Sequence, residues 1–139
     1  MLIRSIILSV AATSLASCES NFKIVSAFAR SYDSGQVNVS IEVPKEAASI
    51  IKNKQYYFSI ILNECRQGEG GFPIEAYAGK ERATKFDFSV NENPVIFTGS
   101  IPNEIFSRYG KPCVHLRGGG YITGKFKTNI VPVVRKDIN

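Results

Sequence analysis

From Gln36 to Val43 the chain alternates without a break: Val37, Val39, Ile41 and Val43 are apolar, and Gln36, Asn38, Ser40 and Glu42 between them are polar. Side chains on a β-strand point to opposite faces in turn, so this period predicts a half-buried strand. Phe22 to Arg30 has the same character, with Phe22, Ile24 and Phe28 on one face. The turn signal Asp33-Ser34-Gly35 then predicts a hairpin between the two runs. Gln55 to Arg66 is the most apolar run, with Phe58, Ile60 and Leu62 on one face and Tyr57 and Ile61 on the other, the pattern of a central strand. Ile74 to Ala78 predicts a short strand. Thr84 to Val90, with Phe86, Phe88 and Val90 inward, is expected to pair across Asn91–Pro94 with Val95 to Ile101, where Val95, Phe97 and Ile101 share a face. Cys113 to Leu116, Tyr121 to Thr128 and Ile130 to Val134 complete the strand-like runs.

Two stretches break this period. Pro44 opens a helical pattern over Lys45 to Asn53, with Ala47, Ile50 and Ile51 at helical spacing; proline suits the first turn of a helix. Pro102 to Gly110 is a second short helix, started by proline and stopped by glycine. Gly68 to Pro73 reads as an exposed loop. About eight short strands with turns every eight to twelve residues predict an all-β chain: an antiparallel β-sandwich, Ig-like or small barrel-like, with two short helices.

The N-terminal segment has a different logic. Arg4 precedes the uncharged, mostly apolar run Ser5 to Ser14, which ends in Leu15-Ala16-Ser17-Cys18. A charged start, a short apolar run and a small-residue cleavage site make a secretory signal peptide; a spanning helix needs about 20 apolar residues. Leu15-Ala16-Ser17-Cys18 resembles the lipobox of bacterial lipoproteins. The resemblance implies cleavage before Cys18, a diacylglycerol on its sulfur and an N-acyl chain (palmitate) on its new amino terminus, with no other cofactor. Several acyl chains would hold the protein at a membrane, where one chain binds only marginally. Glu19 stands where the family's inner-membrane members often carry Asp, which points to the outer membrane and the periplasm. The expected organisation is a signal peptide at 1–17, a lipidated N-terminus and short tether at 18–21, a β-sandwich domain at 22–135 and a polar tail at 136–139.

Export changes the meaning of the cysteines. Cys65 and Cys113 are the only two besides Cys18, and an oxidising compartment favours a disulfide between them. A metal site fails on ligands, because His115 is the only histidine and no two cysteines are closely spaced. The balance of 17 Lys+Arg against 12 Asp+Glu would favour anionic head groups or an acidic protein partner, not nucleic acid, in that compartment.

No catalytic pattern emerges: a nucleophile elbow of the Gly-x-Ser-x-Gly kind is absent, and His115 lacks the context of a triad. The chain is therefore read as a non-enzyme. Arg117-Gly118-Gly119-Gly120-Tyr121-Ile122-Thr123-Gly124-Lys125 lacks the P-loop spacing and reads as a hairpin turn or bulge demanding positive φ. As a binding loop it offers Arg117, Gly118, Gly119, Gly120, Tyr121 and Lys125 to a partner; Tyr and Arg are enriched in interface hot spots. Glu69 and Phe72, in the other glycine-rich loop, are the second set of contacts. The stretch from Pro102 to Val131 resembles small lipoproteins encoded beside type VI secretion lipase effectors. That resemblance implies an immunity protein that neutralises a periplasm-acting toxin or envelope-degrading enzyme. The alternatives are a structural lipoprotein of an envelope or secretion assembly, and a small lipid-binding carrier.

Overall fold

A computed structural model of the chain describes residues 19–32, 34–68 and 70–136. Residues 1–18, which hold the expected signal peptide and Cys18, and Asp33, Glu69 and residues 137–139 lie outside the described residues. In chain order the elements are β1 (Glu19–Phe22), β2 (Ser26–Ser31), β3 (Gln36–Val43), α1 (Lys45–Lys54), β4 (Tyr57–Glu64), β5 (Phe72–Glu75), β6 (Tyr77–Ala78), β7 (Glu81–Arg82), a 3-10 turn (Ala83–Lys85), β8 (Val95–Pro102), α2 (Asn103–Phe106), β9 (Pro112–Gly120), β10 (Gly124–Thr128) and β11 (Val131–Arg135). The residues assigned to the tether, 19–21, are part of β1.

The alternating runs become strands wherever both neighbours are available. β3 lies between β2 and β8 in antiparallel register, and Val37, Val39, Ile41 and Val43 are all buried. β4 lies between β5 and β9, with Phe58, Ile60 and Leu62 buried. Each such side chain contributes roughly 1.5–3 kcal/mol on leaving water. α1 carries Glu46 in its first turn and Lys52 and Lys54 in its last, which complements the helix dipole. Gln55 ends it in the left-handed region (φ 53°), and Tyr56 N–H donates back to the Ile51 carbonyl at 3.1 Å.

The sheet runs β1-β10-β9-β11-β2-β3-β8-β6-β7, with β4 and β5 branching from β9. β11 joins its two arms. Val131 and Pro132 pair with β9, and Val133 to Arg135 pair with β2. The arms face each other across aromatic contacts, with Phe58 edge-on to Phe97 at 5.0 Å and Phe88 edge-on to Phe97 at 5.2 Å. Gly99 of β8 permits the approach, since a Cβ there would lie 2.4 Å from Ile74 Cγ2 and 3.3 Å from Ile60 Cδ1. Cys65 and Cys113 form the disulfide, with Cα atoms 4.9 Å apart.

Several expectations are corrected. The sheet is mixed and is not closed: β1 runs parallel to β10, and β11 parallel to β2. Parallel neighbours need a long connection, and here most of the domain supplies it. Thr84 to Val90 forms no strand. β8 is paired with β3 along its length and with β6 at Tyr77↔Thr98, and Phe86 takes a left-handed φ of 57° after the 3-10 turn. The aromatic side chain still goes inward: Phe88 is buried on Phe97, and Lys52 Nζ donates to its carbonyl at 2.7 Å. In β2 it is Ala27 and Ala29 that are buried, while Phe28 turns outward under Lys136, 4.5 Å from the ring centre. The parity changes at 23–25, between β1 and β2, where Asn129 satisfies the backbone: Ile24 N–H donates to its Oδ1 at 2.7 Å. Ile50 is exposed where burial was expected, because α1 rests on Ala47, Ala48 and Ile51. Phe72 and Pro73, expected in a loop, open β5.

The disulfide joins strands already in register, with Asn63 opposite Cys113 and Glu64 opposite Pro112, so its effect falls mainly on the unfolded chain. Replacing both cysteines by serine should leave the circular dichroism of the native state unchanged and lower the unfolding free energy in urea by about 2–4 kcal/mol.

Candidate functional site

Both candidate loops hang from the β4/β9 pair. Along it Tyr57 stands opposite Gly119, Ser59 opposite Arg117 and Leu62 opposite Val114, while Phe72 of β5 stands opposite Leu62. Phe72 is therefore level with Val114, five residues of β9 from Gly119. Those residues span about 17 Å at roughly 3.4 Å each. The Gly118–Lys125 hairpin and the loop before Phe72 thus lie at opposite ends of the pair and do not form one surface.

At the hairpin end, β9 and β10 pair from Arg117↔Lys127 to Gly120↔Gly124, and Tyr121, Ile122 and Thr123 make the turn. Gly118, Gly119 and Gly120 belong to β9, and none has a positive φ; in this hairpin that conformation falls to Gly124 (φ 89°). Their smallness serves close approach instead. A Cβ on Gly118 would lie 1.9 Å from the Tyr57 carbonyl oxygen, and one on Gly120 would lie 1.9 Å from Thr123 Oγ1. Close packing against the protein's own backbone and side chains thus accounts for the small residues at these positions.

The turn is held from beneath. Tyr56 is fully buried, its ring 5.0 Å from Phe126, and its hydroxyl donates to the Thr123 carbonyl at 2.9 Å. Thr123 Oγ1 donates to the Lys54 carbonyl at 3.3 Å. On this base Tyr121 is 101% and Ile122 89% exposed, and with Lys54, Gln55 and Tyr57 they line a shallow cleft. Sequence reasoning singled out Tyr121 and Lys125 but not Ile122, Tyr57 or Lys54. Ile122, an apolar residue at the tip of a turn, was the available signal. Arg117 is exposed on the outer face, opposite Ser59 and beside Lys127, whose ammonium lies 3.7 Å from Glu19.

The other end is built around the disulfide. Glu64 accepts from the backbone N–H groups of Gly110 and Lys111, the second at 3.1 Å, and Cys65 N–H donates to the Lys111 carbonyl at 3.0 Å. Asn63 Nδ2 donates to the Gly70 carbonyl. The loop before Phe72 and the segment after α2 are thereby fastened to one platform, with Arg66, Arg108 and Lys111 exposed and Phe72 38% exposed.

His115 is 2% exposed and sits opposite Ile61, within the sheet rather than in a cleft. A cleft of about 500 Å³ opens between Ala78–Gly79 and the 88–92 segment, and Glu92 is the one ionisable side chain in its lining. Among the described residues no three His, Cys, Asp or Glu side chains converge as a metal site, and no helix is long and apolar enough to cross a membrane. No protein-family model, curated protein or solved structure matches the chain.

Gly118→Ala discriminates packing from ligand binding. At an unstrained φ, alanine would ordinarily stabilise by about 0.4–1 kcal/mol. Here the Cβ would meet backbone, so the variant should lose about 1–3 kcal/mol in thermal or urea unfolding, as overpacked sites do. Gly70→Ala, with open space around its Cβ and no positive φ, should instead show the ordinary gain of about 0.4–1 kcal/mol.

Proposed function

We propose that the chain is an exported bacterial lipoprotein, acylated on Cys18 and facing the periplasm from the outer membrane, and that it acts as a non-catalytic protein-binding module. In its specific form it is an immunity protein that blocks a toxin or envelope-degrading enzyme, a type VI lipase effector in particular. The observation that carries the reading is the division of the three cysteines. Cys65 and Cys113 bond to each other, which suits an oxidising compartment, and Cys18 remains at the lipobox. The two facing arms support a sandwich-like architecture, whose loops are the usual places for binding.

The disulfide-fastened end is the protein-binding surface in this reading. Two cross-linked segments present Phe72 with Arg66, Arg108 and Lys111, an aromatic anchor among cations suited to an acidic partner. A lipid carrier fits less well. A carrier needs an internal apolar cavity, and the space between the arms is occupied by the rings of Phe58, Phe88, Phe97 and Phe126.

Mass spectrometry of the protein from bacterial membranes should find a chain beginning at an acylated Cys18, and Cys18→Ser should leave the membrane fraction. A cytosolic chain with an intact Met1 would overturn the reading. With the effector encoded beside the gene as ligand, Phe72→Ala and Arg66→Glu should each weaken binding by about thirtyfold or more, the scale of an interface hot spot. Unchanged affinity in both would remove the binding surface from this end.

A further inference from the structure

We propose that the Tyr121–Ile122 tip is a second membrane contact, which dips into the head-group region of an anionic bilayer and holds the domain upright beside its lipid anchor. Three observations converge. The first is composition: two fully presented side chains, one aliphatic and one aromatic with a polar end, stand beside Tyr57, which is itself largely exposed. Tyrosine favours the membrane–water interface because its ring is apolar and its hydroxyl is not. The second is charge. Lys54 lines the same cleft and Lys125 follows the turn by one residue past Gly124. Long lysine stems can lie along the apolar surface while their ammonium groups reach anionic phosphates.

The third is position. β1 and β10 run parallel, with Glu19 opposite Lys125, so the chain enters the domain at the end where the turn stands. Adjacent strands are about 4.8 Å apart and consecutive Cα atoms about 3.8 Å, which places the Cα of Glu19 within about 16 Å of that of Ile122. Glu19 directly follows Cys18 in sequence. The inference rests on the lipoprotein reading for this direction: a bilayer anchored at Cys18 faces the tip, whereas a protein partner would have to share that space with it. The tip is also rigid at its base, through Tyr56 and Lys54, so it presents its apolar atoms without first being ordered.

The chain contains no tryptophan, so Ile122→Trp places a single fluorescent reporter at the tip and Phe72→Trp, in a separate variant, a single reporter at the opposite end. The full chain, purified from a bacterial host, is reconstituted into vesicles of phosphatidylethanolamine and phosphatidylglycerol with and without bromine on the acyl chains. The indole emission of the Ile122→Trp chain should shift to shorter wavelength and fall by about half on bromolipid, as for a side chain held near the acyl boundary. That of the Phe72→Trp chain should stay unquenched. Adding Lys54→Glu and Lys125→Glu to the Ile122→Trp chain should reduce its quenching on the anionic vesicles. If mass analysis shows a bare Cys18, the same chain is coupled through that thiol to maleimide-bearing vesicles, so that failed acylation and failed tip contact are read separately. Unshifted, unquenched emission from the tip reporter on chains attached to vesicles overturns the proposal and returns the tip to the protein-binding candidates.

Discussion

The register between β4 and β9 is the constraint on which both ends of the molecule depend. It runs from Tyr57↔Gly119 to Glu64↔Pro112, and β9 also pairs with β10 and β11. A slip of one residue would exchange the buried face of Phe58, Ile60 and Leu62 for the face of Tyr57, Ser59 and Ile61. It would also part Cys113 from Cys65 and bring a side chain where the close approach at Gly118 admits none. The disulfide at one end and the glycines at the other therefore select the same alignment. Neither is a binding device in itself. Each holds a loop in place.

What could be read from sequence follows from how local the cause was. β3, β4 and β8 were legible because their buried sets repeat every second residue and both neighbours are antiparallel. The disulfide was legible from the cysteine count and from the oxidising compartment that the signal-peptide reading implies. Thr84 to Val90 has the same alternation yet is not a strand, because a pattern records which side chains are apolar and not whether a sheet edge is free. Phe88 is buried as its pattern implied, without a ladder. The parity of β2 was lost at 23–25, where Asn129, more than a hundred residues away, supplies hydrogen bonds that no local signal announces. The parallel pairings of β1 and β11 are equally non-local. At the candidate sites, the sequence marked the two glycine-rich loops but carried no information on their separation along β9. That distance is a consequence of pairing.

The separation changes what the loops can be asked to do. A single surface joining Arg117, Tyr121, Phe72 and the residues around them would need both loops on one side of a partner. At opposite ends they suit two different neighbours. The cationic, cross-linked end has Phe72 partly open, a balance suited to a protein that must be bound and released from water. The Tyr121–Ile122 end has more apolar surface open than a polar turn would carry, and it lies where the chain enters. Arg117, midway between them and beside Lys127 and Glu19, belongs to a charged outer face that fits either neighbour less specifically. In this arrangement the triple glycine acts by letting β4 and β10 close around β9, which sets the height of the tip.

In the proposed lipoprotein, the connection between anchor and domain determines how far orientation matters. A flexible linker of many residues would let the domain sample every attitude above the bilayer, and a tip contact would add little. Here β1 begins at Glu19, directly after Cys18 in sequence, and is hydrogen-bonded along its length to β10. An acyl anchor on Cys18, as proposed, would therefore act on the body of the domain almost directly. Such an anchor would restrain rotation, so a second contact nearby would cost little further entropy and gain in effective concentration. The same restraint would present the disulfide-fastened end outward on every copy. For a protein whose work is to intercept a partner close to the membrane, a fixed outward face reduces the orientational search that slows association. In that proposal the short entry, the rigid tip and the stapled far end answer one mechanical requirement, and a longer tether would remove the fixed orientation that joins them.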